Sequence, residues 1–338
     1  MLHTFGEGYA LLIGVGRCLN FESWSLPVTV KDAQALAAIL TDPNLCAYPE
    51  NEQHLRLLHN ESASRQGILD GLNWLKLATQ EADNSTAIIY FSGHGWLDEK
   101  DGQYYLIPSD VKPFNIARSA LSAQEFILRL QKIRTRRILI IIDSCHAEEM
   151  ATSKNISEPE LPPAYKSVSF PQQWIESLKE GEGRAVFTSS RGFEKSWIHQ
   201  EAGLSIYTYH LLEALRGAGN VVGDMAVHLS NMMDYLSHTV PRTAKVQWEA
   251  AQTPFFDLSA ENFPIALLYG GKGMTERLQA NVRSETLQFI QRVMAVGFSV
   301  VEDVSQTHDG GAGAQMIEAK DNSVIRGVVQ QSRKINNQ

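Results

Sequence analysis

The stretches TAIIYFSGHG (residues 86–95) and RILIIIDSCH (residues 137–146) decide how this chain is read. Each is a run of aliphatic and β-branched residues, the composition of a strand buried on both faces. Each run gives way to small and polar residues where a strand would leave its sheet. Parallel strands of this kind present their sites at the carboxyl edge. His94 and Cys145 stand at two such edges.

Working outward, residues 9–15 form an apolar run closed by Gly14 and Gly16 and read as another buried strand. Residues 30–40 place Ala33, Leu36, Ala37 and Leu40 at helical spacing. A strand is expected over 54–58, a helix over 64–78, a short strand over 104–107 and a helix over 122–132. The strand 185–188 and the helices 207–215 and 225–240 follow. This alternation predicts an α/β fold, a mostly parallel sheet with helices on both faces. Between 147 and 183 Ser, Glu, Pro and Lys dominate, with a short helix expected at 174–178, so this segment reads as a linker. The expected organisation is one domain over 1–260, with a large part at 1–146 and a small part at 184–260. Residues 261–338 form a small C-terminal α+β accessory region. It contains an amphipathic helix at 275–296, a Gly-rich break at 306–313, and a hairpin of 315–319 with 323–329.

A chain of 338 residues with net charge −8 lacks the basic balance of a nucleic-acid binder. Three cysteines, Cys18, Cys46 and Cys145, do not make a disulfide framework and fit a reducing compartment. The start MLHTFGEG lacks the features of a signal peptide, and no apolar run approaches the ~18 residues that cross a bilayer. The expectation is a cytoplasmic protein that engages neither membrane nor nucleic acid and needs no cofactor.

A thiol becomes a nucleophile when deprotonated, and a nearby imidazole is the usual activator. His94 and Cys145 are therefore the candidate base and nucleophile. Gly93 and Gly95 leave the backbone free to approach a substrate, and the N–H groups of Gly95 and Cys145 are candidate oxyanion donors. His146 neighbours Cys145 in sequence, and adjacent side chains of an extended segment diverge. Cys18 and Cys46 read as small buried hydrophobes. His199, His210, His228 and His238 read as structural or exposed, and Glu148 and Glu149 as a solvated loop.

YFSGHG followed by IIDSCH resembles the caspase–metacaspase superfamily of cysteine peptidases. YALLIGVG with VKDAQALAAIL resembles the family's first strand and helix, and AVFTSS its strand after the linker. Gly203-Leu204-Ser205-Ile206-Tyr207-Thr208 and Gln252-Thr253-Pro254 resemble two later motifs, so the likeness spans about 8–257. It implies a Cys145–His94 dyad acting on protein or peptide substrates. It also implies a metacaspase-type primary pocket of Asp32, Ser92 and Asp143, which by charge and donor geometry suits Arg or Lys at the cleaved bond. Relatives are often cut in the linker, which makes Lys154 and Lys166 candidate processing sites. Pro108-Ser109-Asp110 is present, but 118–125 lacks the adjacent Asp pair of calcium-dependent metacaspases. A hard cation needs several oxygen ligands, so no metal site is expected and another trigger is required. Compact bacterial relatives suggest a role in defence or programmed death, with the C-terminal region as the seat of a regulatory partner or small-molecule signal. Two alternatives stand beside this: a catalytically silent scaffold, and a transpeptidase that uses the same dyad.

Overall fold

The computed structural model describes residues 4–82, 84–144, 161–181, 183–268, 276–297, 305–308 and 329–332. The chain opens with β1 (Gly8–Gly14), α1 (Pro27–Thr41), β2 (Leu55–His59), α2 (Arg65–Ala78) and β3 (Thr86–Gly93). Next come β4 (Gly95–Asp98), β5 (Tyr104–Leu106), α3 (Ile116–Ser119), β6 (Leu121–Ser122), α4 (Ala123–Leu130) and β7 (Arg137–Ser144). Then follow β8 (Tyr165–Ser167), α5 (Gln172–Lys179), β9 (Arg184–Thr188), α6 (Ile206–Leu215), β10 (Ala226–His228) and α7 (Leu229–Trp248). The last elements are β11 (Phe255–Leu258), β12 (Pro264–Leu267), α8 (Glu276–Gly297), β13 (Ser305–His308) and β14 (Val329–Ser332).

Six strands form the main sheet in the order β11-β9-β7-β3-β1-β2. All neighbours are parallel except β11, which runs antiparallel to β9. β3 and β7 are central, and their middles, residues 87–91 and 138–142, are runs of aliphatic and aromatic residues, as expected of strands covered on both faces. Alternate side chains feed two cores. Leu12, Ile88, Tyr90, Leu139 and Phe187 pack under α1, α6, α7 and α8. Leu11, Ile89, Phe91, Ile140 and Val186 pack under α2, α4 and α5. A second, antiparallel sheet, β6-β5-β4-β8, extends from the chain just after His94.

Element bounds differ from expectation where local chemistry decides them. α1 starts early because Pro27 serves as its first residue, where a missing N–H costs nothing. The expected helix 225–240 is instead strand β10 followed by α7. His228 and Asn231 form a reciprocal cap that starts the helix at Leu229, and the helix runs through Pro241 to Trp248. β4 and β8 were not expected from the sequence; they are short and carry polar residues. The expected C-terminal hairpin lies outside the described residues except for Val329. That residue begins β14, which pairs in parallel with β13. The helix expected at 275–296 is α8, and its Phe289, Ile290 and Met294 are buried in the core under α1 and α6. Among the described residues no helix is long and apolar enough to cross a membrane.

Gly14 ends β1 against the first turn of α1, and a methyl there would overlap the carbonyl oxygen of Thr29. Backbone cannot yield as a flexible side chain can, so this glycine sets how closely α1 approaches the sheet. Gly14→Ala is expected to cost about 1–3 kcal/mol, read as a lower urea midpoint with unchanged slope.

Candidate active site

The β3–β7 register places Ser92 opposite Asp143 and Gly93 opposite Ser144. His94 follows directly on the first strand. Cys145 is the next residue after Ser144 and lies outside the described residues, as do His146, Glu148, Glu149 and Lys154.

His94 is buried, and its Nε2 lies 2.9 Å from the carbonyl oxygen of Trp24. A carbonyl only accepts, so Nε2 carries the proton and Nδ1 is the basic atom of the neutral ring. Trp24 is itself fixed: its indole meets Trp96 edge-on with centroids 4.6 Å apart, and Phe21 flanks it at 4.6 Å. The Cys18 thiol lies 3.4 Å from the same carbonyl. Burial first, and Glu22 second, push that thiol up to about 12, so it stays protonated and donates. Burial, then Asp42, pushes the Cys46 thiol up as well. Neither is a nucleophile at neutral pH.

The N–H of Ile107 donates to the carbonyl of His94 at 3.1 Å. Successive residues of a strand point their backbone groups to opposite sides, so the Gly95 N–H turns away from β5. A methyl on Gly95 would overlap the Tyr104 hydroxyl. That hydroxyl lies 3.0 Å from Ser144 Oγ and donates to Val168 O at 3.1 Å, so it ties β5, β7 and the chain after β8 together beside the site.

Asp32, Ser92 and Asp143 come together as a fully buried group. Asp32 comes from the second turn of α1, and the other two from paired positions of β3 and β7. Ser92 Oγ lies 3.4 Å from Asp32 Oδ2. A residue not anticipated in this role, Ser205, bridges the two carboxylates. Its N–H donates to Asp32 Oδ1 at 2.9 Å and its hydroxyl to Asp143 Oδ2 at 2.6 Å. Ser205 also caps α6 by accepting from the Thr208 N–H at 3.0 Å. Thr208 Oγ1 reaches Asp143 Oδ2 at 3.5 Å and Tyr90 Oη at 2.6 Å. Burial raises the Asp32 carboxyl well above the ordinary range and neighbouring Asp143 raises it further, against the lowering effect of Ser205 and Ser92. A serine directly before a helical run signals a cap, and that signal was present at Ser205. The role of the Trp24 carbonyl has no side-chain signature.

Lys166 sits in β8, paired with Leu97 of β4, and forms an ion pair with Glu99. At the segment 118–125, the Arg65 guanidinium pairs with Glu125 and donates to Ala120 O at 3.2 Å. His210 is buried between Glu213, 2.6 Å away, and Thr243 at 2.7 Å, and His199 stacks on Tyr209. His238 is exposed.

Comparison with known proteins adds two observations. The family model of the caspase domain matches residues 7–262. The solved "structure of pro-sf-caspase-1" is similar at 14% identity and a TM-score of 0.43, covering 79% of this chain and 91% of that one. No curated protein matches.

Ser205→Ala removes the α6 cap and the bridge to Asp143 together. The expected loss is about 1–2 kcal/mol, measured by chemical denaturation, with Ser205→Thr retaining most of it.

Proposed function

This chain belongs to the caspase-domain family of peptidases, and from that premise we propose that it is a cysteine endopeptidase that cleaves proteins after Arg or Lys. The observation that carries the specificity is the pair of buried carboxylates, Asp32 and Asp143, held by one serine beside the strand end that delivers His94. Burial, and then the neighbouring Asp143, raise the Asp32 carboxyl, so the pair resists carrying two uncompensated charges. A guanidinium or ammonium supplies that compensation and offers donors to both groups. Ser92 supplies a further polar group. Both carboxylates are fully buried, so entry of the cation requires a rearrangement around them.

In the mechanism, His94 Nδ1 takes the proton of the Cys145 thiol while Trp24 holds Nε2–H. The thiolate attacks the scissile carbonyl, and the N–H groups of Gly95 and Cys145 receive the developing oxyanion. His94 then returns the proton to the leaving amine. Water hydrolyses the thioester and regenerates the thiol. Lys154 and Lys166 are the candidate processing sites, and cleavage after Lys166 would require β8 to leave its sheet. A role in bacterial defence or programmed death, in the cytoplasm, is the setting we infer for this activity.

Peptides with Arg or Lys before the cleaved bond are expected to turn over, and those with Asp or Asn are not; turnover confined to the acidic set would sink the pocket assignment. Cys145→Ala and His94→Ala should each lower kcat by roughly 10³-fold or more. Retention of every cellular effect by Cys145→Ala would instead favour a scaffold, and ligated products seen by mass would favour transpeptidation.

Asp32→Asn gives an opposed pair of outcomes. A carboxyl raised in the fold binds its proton more tightly folded than unfolded. The protein therefore loses stability as pH rises from the ordinary carboxylate range towards the raised folded value, and the loss is complete above it. Asp32→Asn should abolish turnover of basic peptides yet stabilise the protein at neutral pH by on the order of 1 kcal/mol. Thermal melts from acid to neutral pH should show the stability gap between variant and parent opening upward.

A further inference from the structure

Helix α6 is ten residues long, about 15 Å, and every one of its residues is buried. Its two ends are held by different parts of the chain. At the N-terminal end, Ser205 and Thr208 hold the acidic pair. At the C-terminal end stands Arg216, whose cation suits the end of a helix dipole. Its guanidinium donates to Glu285 Oε2 at 3.2 Å and lies 5.6 Å from the centroid of the Phe289 ring. Both partners belong to α8, which lies beyond residue 262, where the match to the family ends. Along α8, Thr286, Phe289, Ile290 and Met294 are buried at helical spacing. The helix packs against α6 and against α1, the helix that carries Asp32. One added element is therefore seated on both helices that position the pocket.

We propose that Arg216, Glu285 and Phe289 are positioning residues for substrate binding. By fixing the C-terminal end of α6 against α8, they set where Ser205 stands at the other end, and so how the acidic pair meets the substrate's cation. A packed helix moves as a unit, so a shift at one end reaches the other. α8 is then the route by which the C-terminal region acts on the pocket while β3 and β7 are left in place. This inference rests on the reading of Asp32 and Asp143 as the cation site.

The test uses the full chain carrying Phe289→Ala, with two readouts. Turnover of a peptide with Arg before the cleaved bond reports the pocket. Modification of Cys145 by iodoacetamide, followed by intact mass, reports the dyad without needing the pocket. The expected result is a KM raised about tenfold with kcat and the modification rate within about twofold of the parent. The conservative Phe289→Leu should recover most of the KM. An unchanged KM beside a lowered melting temperature would make α8 a stabiliser only and overturn the proposal. Equal losses in turnover and modification would overturn it too, as a general distortion. Glu285 is well exposed, so Glu285→Ala keeps the question open to measurement if Phe289→Ala does not fold. It should raise KM about two- to threefold, and no change in it would count against the proposal. If the parent turns over no basic peptide yet Cys145 is modified at pH 7, the cation-site reading fails and this inference falls with it. If the parent does turn over and KM is indifferent to α8, only the inference fails.

Discussion

The register between β3 and β7 is the constraint on which the site depends. Two parallel central strands pair so that Ser92 faces Asp143 and Gly93 faces Ser144. A slip of one residue would turn every side chain of a strand to the other face. Tyr90 and Ile141 would leave the core under α6, and Asp143 would turn away from Asp32. Both cores hold the register, because every residue of the two strands but Arg137 is buried. The chemistry at the strand ends is thus positioned by apolar packing in the middle of the sheet.

Around that frame the polar groups are arranged by backbone as much as by side chains. The Trp24 carbonyl selects the His94 tautomer, and aromatic packing holds that carbonyl where it is. The Ser205 N–H and hydroxyl join two carboxylates that would otherwise repel. Gly14 and Gly95 contribute by having no side chain: one lets α1 come close enough to bring Asp32 to the sheet, the other leaves room for the Tyr104 hydroxyl. Burial, and then Asp143, push the Asp32 carboxyl up, so its ionised form is the one the fold disfavours.

Much of this was legible in the sequence, for identifiable reasons. Uniform β-branched runs announce central strands, and the small and polar residues after them announce where a site forms. β4 and β8 escaped because a four-residue or three-residue strand carries too little pattern to separate from a loop. The start of α7 escaped because its cap is a histidine, an uncommon capping residue, and the helix continues through Pro241 beyond the expected end at 240. The gathering of Asp32, Ser92 and Asp143 could be anticipated from motif likeness. The serine joining the two aspartates could not, since nothing in its neighbourhood shows which acids it will meet across 173 and 62 residues of chain.

From residue 161 onward the chain is tied firmly into the molecule. β8 pairs with β4, Ser169 bonds Ser190 and the backbone at Gly192, and Phe170 stacks edge-on against Tyr104. Downstream, β9 lies in the main sheet directly beside β7. A peptide bond broken anywhere between residues 145 and 160 would therefore leave two polypeptides in one particle. They would be separate in denaturant and inseparable by size under native conditions. Scission there would leave the main sheet intact, because β7 and β9 remain paired.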